Sequence, residues 1–211
     1  EAQRFLQPDL LNLHDGLRMR DLGRAAERIL AAIARGERIF IQGDYDVDGI
    51  TSTFLLYSVL ERLGASPEYR IPDRITEGYG LSLAAVEDAR QRGCTLIITV
   101  DCGITAVEPV AHANALGIDV VVTDHHEPAA RLPEAHAVVN PRRADCPYPF
   151  KSLAGVGVTF KLAEQLLEAS GGIEVAQEYL DVVAIGTIAD VMPLVDENRI
   201  LVSKGLARMS S

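Results

Sequence analysis

The segment Arg38-Ile39-Phe40-Ile41-Gln42-Gly43-Asp44-Tyr45-Asp46-Val47-Asp48-Gly49 runs from an apolar stretch into three closely spaced aspartates. The apolar stretch predicts a buried strand, so the aspartates stand at its carboxyl end. Three carboxylates at this spacing repel one another unless a cation joins them. Because carboxylate oxygens are hard ligands suited to magnesium or manganese, we expect a divalent cation at this turn.

Two simpler interpretations explain less of this segment. Residues 44–49 match the start of an EF-hand calcium loop, but the twelfth position, where that loop needs a glutamate, is Leu55. A strand followed by a helix is also the wrong context for that loop. The segment could instead be a solvated turn in which Asp48 is the N-cap of the next helix, but capping accounts for one aspartate and not for three.

The composition is that of a soluble globular chain. The 211 residues are 48% hydrophobic, which is enough to bury one large domain or a domain with an appendage. No apolar segment approaches the length of a membrane span, and residues 1–5 do not resemble a signal peptide, so we expect a cytoplasmic location. Cys94, Cys102 and Cys146 lack the spacing of a thiolate zinc site, and we expect them to be reduced.

The formal net charge of −10 argues against a broad surface for nucleic acid. A long polyanion would therefore need local basic residues or parts of the protein outside these 211 residues. The glycine-containing stretch 151–158 resembles a loose phosphate loop, but it lacks the G-K-[ST] ending of a P-loop. We interpret it as a tight entry to a helix and predict no ATP site.

The hydrophobic pattern alternates between helical and strand-like periods along the chain. It predicts helices at residues 21–33, 51–63, 82–92, 106–116, 159–169 and 174–189, and strands at residues 39–41, 68–71, 95–100 and 118–123. The strands are continuous apolar runs, which indicates a parallel sheet covered on both faces. We predict an α/β fold with a doubly wound, mainly parallel five-stranded sheet, helices on both faces and a C-terminal helical lobe.

Three segments follow from this pattern as predicted domains. Residues 1–36 form an N-terminal helical segment, residues 37–140 form the α/β catalytic domain, and residues 141–211 form a connector and a helical lobe that completes the site.

Metal-type ligands follow three of the predicted strands. The aspartate triplet follows the first, Asp101 follows Val100, and Asp124-His125-His126 follow the strand that ends at residue 123. Open parallel sheets bind ligands at the carboxyl ends of their strands, so we expect these side chains to share one site. One imidazole could bind metal while the other contacts a substrate oxygen, or one could bond a carboxylate while the other faces solvent. Both arrangements stay open.

Other candidates come from single residues. Asp190 ends an apolar helical stretch, where an acid is unfavourable unless a metal or an ion pair with Arg199 compensates it. The polar side chains that could hold a substrate are Arg74, Tyr79, Asn140, Arg142 and Arg143. Arg74 is the first choice because a guanidinium grips phosphate with a planar fork, and Tyr79 could stack on a base. An ordinary structural role stays open for each of them.

The motifs Gly43-Asp44-Tyr45-Asp46-Val47-Asp48-Gly49, Val100-Asp101-Cys102-Gly103 and Asp124-His125-His126 resemble, in this order, those of the DHH phosphoesterase superfamily. Residues 71–80, 139–143 and 184–194 are similar to its branch of bacterial single-strand-specific 5′-to-3′ DNA exonucleases. The resemblance covers nearly the whole chain.

This resemblance implies a two-metal phosphodiesterase that uses two divalent cations, with manganese preferred over magnesium. Asp101 would bridge the ions, and Asp46 with Asp44 would hold one of them. The ligands of the other would be Asp48, His125 and Asp190. His126 would face the scissile phosphate and complete a catalytic set with Asp101 and His125. Gln42 stands near the place where some superfamily members have a histidine ligand, so Asp44 is the natural substitute.

The implied activity is the release of 5′-mononucleotides from single-stranded DNA in DNA repair and recombination. The implied partners are single-stranded DNA, a single-strand-binding protein and a helicase, and the implied state is a monomer. Relatives continue into further domains that grip DNA, so we expect these residues alone to bind single strands weakly. Two alternatives stay open: a phosphoesterase for oligoribonucleotides, cyclic dinucleotides or pyrophosphate, and a non-enzymatic receiver-like domain, which would not need the two histidines.

Overall fold

The structure, a computed structural model, describes residues 6, 8–76 and 78–210. Residues 1–5, on which the expectation about a signal peptide rests, lie outside the described residues. So does Glu77, which belongs to the quoted stretch 71–80.

A five-stranded sheet forms the centre of the fold, as predicted. Its strands lie in the order β2-β1-β3-β4-β5, and every pairing between them is parallel. They are β1 (Ile39–Gln42), β2 (Glu68–Arg70), β3 (Leu96–Val100), β4 (Asp119–Thr123) and β5 (Ala137–Val139). The strand order reverses between β1 and β3, which is where a doubly wound sheet opens a crevice for ligands.

Helices cover both faces of the sheet, which confirms the predicted doubly wound arrangement. They are α1 (Leu22–Ala34), α2 (Val47–Arg62), α3 (Leu83–Gln91), α4 (Val107–Ala115), α5 (Gly155–Ala169), α6 (Leu180–Ala189) and α7 (Asp196–Met209). Successive strand residues point to opposite faces, so Ile39 and Ile41 join the larger core while Phe40 joins the smaller one. The larger core contains residues of α1, α2 and the lobe helices α5 to α7, and the smaller core contains those of α3 and α4. None of the described helices is long and apolar enough to cross a membrane.

Helix α2 begins at Val47, inside the acidic turn, and not at residue 51 as predicted. Asp46 has extended backbone angles, and its carboxylate accepts a hydrogen bond from Gly49 N at 2.9 Å. Asp46 is therefore the N-cap, and the interpretation of Asp48 as the cap was wrong. Asp48 lies in the first turn of the helix, where its carboxylate is free to bond elsewhere.

The lobe departs from the predicted helices at three places. Helix α5 starts at Gly155 instead of residue 159. The predicted helix over residues 174–189 divides into a 3-10 helix, Ile173–Tyr179, and α6. Helix α7 was not predicted, because Gly205 interrupts its pattern. A Cβ at Gly205 would lie 2.2 Å from the Leu180 carbonyl oxygen, so this glycine permits the close crossing of α6 and α7.

A buried ionic network fastens the N-terminal segment to the lobe. Glu197 and Lys161 are both buried, and Lys161 Nζ lies 3.1 Å from Glu197 Oε1. The Tyr148 hydroxyl donates to Glu197 Oε2 at 2.6 Å. The His14 backbone N–H donates to Glu197 Oε1 at 2.9 Å, and the His14 carbonyl accepts from Lys161 Nζ at 2.9 Å. The two opposite charges therefore satisfy each other away from solvent.

Replacing Lys161 with methionine should lower the free energy of unfolding by about 3 kcal/mol, because it leaves the Glu197 carboxylate buried without its cation. Tyr148→Phe should lower it by about 1 kcal/mol, since it removes one hydrogen bond to that carboxylate. Urea unfolding followed by circular dichroism measures both. Lys204→Met, at a partly exposed position of α7, is the control and should change the value by less than about 0.5 kcal/mol. A Lys161→Met protein as stable as this control would contradict the role given to the network.

Candidate metal centre

Strand β1 delivers the aspartate triplet to the switch point of the sheet. Asp44 and Asp48 are buried, whereas Asp46 is exposed. The turn is tight because Gly49 passes directly over Asp44, where an added Cβ would lie 2.6 Å from the Asp44 carbonyl oxygen. The close packing of this turn brings the carboxylates together at the start of α2.

Asp101 follows β3 and is a closely confined carboxylate. It is 1% exposed, and its backbone has a φ of 59°, a left-handed conformation that aspartate tolerates better than most residues. Helix α5 begins directly against its side chain, since a Cβ on Gly155 would lie 2.2 Å from Asp101 Oδ1. Neither carboxylate oxygen of Asp101 has a hydrogen bond within the described part of the chain.

Asp124 anchors the two histidines that follow β4. Its Oδ1 accepts from the backbone N–H groups of His125 at 2.7 Å and His126 at 3.0 Å, and its Oδ2 accepts from Ile104 N at 2.9 Å. Asp124 Oδ1 also lies 2.8 Å from His126 Nδ1. The candidate residues drawn from the sequence omitted Asp124 as a site residue, although its place before two histidines is a local signal for this role.

The two imidazoles point in different ways. His125 is buried and its Nε2 lies 3.1 Å from Asp101 Oδ1, 3.6 Å from Asp190 Oδ2 and 3.8 Å from Asp48 Oδ2. The His126 ring is partly exposed and its Nδ1 also contacts the Tyr79 hydroxyl at 2.9 Å. His125 thus faces the carboxylates, while His126 lies at the edge of the cluster.

Asp48 connects the acidic turn to the lobe. Its Oδ2 accepts from Gly155 N at 2.7 Å and its Oδ1 from Val156 N at 2.8 Å, so the carboxylate occupies the N-terminus of α5. Helix N-termini favour negative charge at this position. Gly186 of α6 packs on the same carboxylate, because a Cβ there would lie 3.0 Å from Asp48 Oδ1. The stretch 151–158 is therefore a helix entry, as predicted, whose amides bind a carboxylate of the protein itself.

The ligand-type atoms form groups, and the atoms within each group lie within 4.8 Å of one another. One group contains Asp44, Asp46 and Asp101, and another contains Asp48, His125 and Asp190. A third, overlapping group joins Asp101 and His125 to His126. The residues that follow three different strands, together with one residue of the lobe, are thus within reach of shared cations.

The pKa shifts of these carboxylates indicate that a nearby positive charge would stabilise them. Burial raises the pKa of Asp101, and the nearby Asp48 carboxylate raises it further. Burial likewise raises the pKa of Asp44, of Asp48 and of Asp190. For Asp190, the His125 and Arg142 charges act in the opposite direction. Burial and crowding therefore disfavour the ionised carboxylates, which a divalent cation would stabilise.

His126 and Asp124 behave differently from the crowded carboxylates. The hydrogen bond with Asp124 raises the pKa of His126 to about 9. Burial alone would raise the pKa of Asp124, but the hydrogen bonds from His126 and the backbone outweigh it, and the pKa falls below its usual value. The pair behaves as an ion pair at neutral pH.

The donor set fits divalent cations. Six buried atoms of the cluster have no hydrogen-bond partner in the described structure: Asp44 Oδ1, Asp101 Oδ1 and Oδ2, His125 Nδ1 and Nε2, and Asp190 Oδ2. Such orphaned polar atoms are rare in protein interiors and are typical of positions that bind an ion or water. Carboxylate oxygens with one imidazole suit manganese or magnesium.

Gln42 is buried and its Nε2 donates to the Gly43 carbonyl oxygen at 3.0 Å.

The predicted substrate-binding residues are placed unevenly. Arg74 lies over the Tyr45 ring, with its guanidinium carbon 5.3 Å from the ring centroid. Asn140 is buried: its Nδ2 donates to the His126 carbonyl at 2.9 Å, and its Oδ1 accepts from Arg142 N at 2.7 Å. Arg142 Nη1 lies 3.3 Å from an exposed carboxylate oxygen of Glu127. Asn140 therefore supports the His126 loop from inside and does not face solvent.

Two further candidates for substrate binding make their polar contacts within the protein. The Tyr79 hydroxyl donates to the Asp101 carbonyl at 3.1 Å, besides its contact with His126. Arg143 is buried between Asp21 and Asp145, at 2.7 and 2.9 Å. Arg143 therefore serves the fold, and Tyr79 holds the loop of Asp101.

The chain is similar to proteins of one family. The profile described as "DHH family, N-terminal domain" matches residues 38–187. The chain is 48% identical over 208 residues to the single-stranded-DNA-specific exonuclease RecJ of Bacillus subtilis strain 168, covering 99% of this chain and 26% of that protein. It is 46% identical over 197 residues to RecJ of Escherichia coli K12, covering 88% of this chain and 34% of that protein. The chain thus spans a quarter to a third of the length of these curated relatives.

Solved structures with the same fold include crystal structures of RecJ. A crystal structure of exonuclease RecJ bound to manganese superposes with a TM-score of 0.84 at 39% identity, covering 95% of this chain and 50% of that chain. RecJ of Thermus thermophilus in complex with Mn²⁺ gives a TM-score of 0.82 at 37% identity, covering 98% of this chain and 29% of that chain.

Gly155→Ala should weaken manganese binding by about tenfold or more, because the new methyl group would displace the Asp101 carboxylate. Isothermal titration with MnCl₂ measures the affinity. Gly157→Ala, in the first turn of the same helix, is the matched control, since its Cβ would meet only the flexible Leu153 side chain, at 3.1 Å. Equal manganese affinity in the two variants would show that the contact at Gly155 does not shape the centre.

Proposed function

The chain belongs to the DHH family, and we propose that it is the metal-dependent phosphodiesterase portion of an exonuclease that acts on single-stranded DNA. The proposed reaction releases 5′-mononucleotides in the 5′-to-3′ direction during DNA repair and recombination. The names of the relatives supply the substrate class, and 41–48% identity to RecJ proteins supports it. The observation that carries the proposal is the convergence of unpaired carboxylate and imidazole atoms at the switch point of the sheet.

Two divalent cations, manganese or magnesium, fit the cluster. Asp44 and Asp46 would hold one cation, and Asp48, His125 and Asp190 would hold the other, with Asp101 shared between them. When bound, such a pair activates water at neutral pH and neutralises charge on the phosphate oxygens. Asp46 has a second task, because one of its oxygens caps α2. Asp48 likewise bonds α5. These two carboxylates are thus held by helix starts before any cation binds.

His126 is the residue that we assign to the scissile phosphate. Its Nδ1 is occupied by Asp124 and by the Tyr79 hydroxyl, so Nε2 is the ring nitrogen left for a phosphate oxygen. Asp124 and Tyr79 orient this ring, and Asn140 holds its backbone carbonyl. The catalytic set is then His126, Asp101 and His125, with three side chains positioning the first of them.

Arg74 and Arg142 are the proposed contacts to the substrate backbone. Both are arginines, which bind phosphate with a planar fork. Tyr79 and Asn140 were predicted as substrate contacts, but their hydrogen bonds support a positioning role. Tyr79 is 45% exposed. Contact between its ring and a base of the substrate stays a prediction.

Several broader expectations belong to the same proposal. Residues 1–36, 37–140 and 141–211 would act as one catalytic unit, since helices of all three share the larger core. The proposed location is the cytoplasm and the proposed state a monomer, with a single-strand-binding protein and a helicase as partners. A receiver-like domain without activity does not agree with membership of this family.

Asp101→Asn should lower manganese-dependent nucleotide release roughly 10³-fold or more, because the shared carboxylate is lost. Asparagine tolerates the left-handed backbone at this position, whereas alanine would add strain, so the fold should persist. Release of 5′-mononucleotides from a 5′-labelled single strand measures the effect. Asp181→Asn, whose carboxylate bonds the backbone N–H of the next residue in α6, is the control with the same change of charge. Full activity in Asp101→Asn would refute the shared ligand.

Removal of divalent ions with EDTA should abolish hydrolysis, and added manganese should restore it. The substrate panel should place single-stranded DNA above double-stranded DNA, oligoribonucleotides, cyclic dinucleotides and pyrophosphate in kcat/KM. Preference for one of the last three substrates would establish the small-molecule alternative instead. Hydrolysis that persists in EDTA would exclude the metal-dependent reaction altogether.

A further inference from the structure

A cation-lined hollow lies beside the metal centre. Its volume is about 380 Å³. The residues that line it, and that define the Arg142 hollow below, are Glu127, Arg142, Arg143, Ala144, Lys151 and Ser152. Three of these six carry positive charge, in a chain whose formal net charge is −10. The hollow is therefore a local exception to the charge of the protein.

Two of the three cations are available to an anion. Arg143 is buried and neutralised by Asp21 and Asp145. Lys151 is exposed, and its Nζ donates to the Cys146 carbonyl at 2.6 Å, which fixes the side chain without neutralising it. Among the described residues no carboxylate lies within ion-pairing distance of Lys151. In the described part of the chain, the carboxylate that pairs with Arg142 is the exposed one of Glu127, at 3.3 Å.

Both walls of the Arg142 hollow are connected to the metal centre. On one side, Asn140 joins the backbone N–H of Arg142 to the carbonyl of His126. On the other side, Lys151 precedes by four residues the helix start at Gly155, whose N–H binds Asp48. A group held between Arg142 and Lys151 would thus be fixed relative to the proposed catalytic histidine and to a proposed metal ligand.

Glu127 is the one acid among the described residues that line the hollow. Its side chain is 79% exposed, so its ion pair with Arg142 contributes little and is screened by salt. A phosphate group can accept hydrogen bonds from the guanidinium fork and from an ammonium group at once. The Glu127 carboxylate, 3.3 Å from Arg142, does not bridge the two cations in this way. Glu127 can therefore be displaced from Arg142 by a phosphate that enters the hollow.

We propose that Arg142 and Lys151 form a second phosphate site, which holds a phosphate group of the substrate next to the one at the metal centre. Glu127 occupies Arg142 when no phosphate is present. This proposal rests on the proposed function. The phosphate comes either from the following phosphodiester of the strand or from the departing mononucleotide.

Lys151→Gln should raise KM for manganese-dependent hydrolysis of a thymidine oligomer about fivefold to tenfold and leave kcat nearly unchanged, because it removes binding common to ground and transition states. It should also reduce the slope of log affinity against log salt by about 0.7, the value for one phosphate of a single strand. Glu127→Gln should lower KM. The same KM in Lys151→Gln and in the control Lys204→Gln would overturn the proposal.

The control for Glu127→Gln is Glu134→Gln. Glu134 is also 79% exposed and pairs with Arg131 at 3.1 Å, so the variant loses the same charge and a similar ion pair away from the hollow. A fall in KM confined to Glu127→Gln supports the proposal. A similar fall in both variants would mean that only the net charge of the protein matters.

Binding without hydrolysis separates the two proposals and the two phosphate sources. Fluorescence anisotropy in EDTA should show weaker binding of a labelled thymidine oligomer to Lys151→Gln than to Lys204→Gln. In competition, loss of affinity for pdTpdT alone identifies the phosphodiester of the strand, and loss for thymidine 5′-monophosphate as well identifies the departing nucleotide. If the wild type binds in this way but does not hydrolyse DNA with manganese, the proposed function fails and the phosphate site stands.

Discussion

Two hydrogen bonds from the first amides of α5 to the Asp48 carboxylate join the start of α2 to the helical lobe. The positive end of the helix compensates a carboxylate that is otherwise removed from water. The same contact sets Gly155 against Asp101 and, through the packing of α2 with α6, brings Asp190 to His125. The geometry of the candidate centre therefore depends on how one helix begins, more than on any pair of ligands.

The cluster is held together against its own electrostatics. Burial raises the pKa of Asp101, and the charge of its neighbour Asp48 raises it further. Without cations, the proximity of the two carboxylates therefore opposes folding. Backbone contacts keep these carboxylates close together. They are the N-cap hydrogen bond to Asp46, the amides that bind Asp48 and the close approach of glycine residues. A site prepared in this way loses little entropy when an ion enters, and ion binding in turn stabilises the fold.

Much of the fold could be read from the sequence because buried parallel strands are continuous apolar runs and their carboxyl ends coincide. That argument placed the aspartate triplet, Asp101 and His125 in one region, where the structure has them. It could not show that Asp46 caps α2, nor that α5 begins at Gly155, because the partner of that helix start, Asp48, lies more than 100 residues away in sequence. The inward orientation of Asn140 was equally hidden, since a motif gives residue types but not directions. The metal-ligand and catalytic roles of these residues stay predictions.

The absent Cβ at Gly155 has a consequence for redesign. Helix α5 packs directly against the Asp101 carboxylate, and Gly186 brings α6 close to the Asp48 carboxylate. The spacing of the carboxylates is thus set by the separation of two helices from a sheet. Exchanging ligands one at a time would leave that spacing unchanged, so adapting the centre to an ion of different radius would require a new helix packing distance.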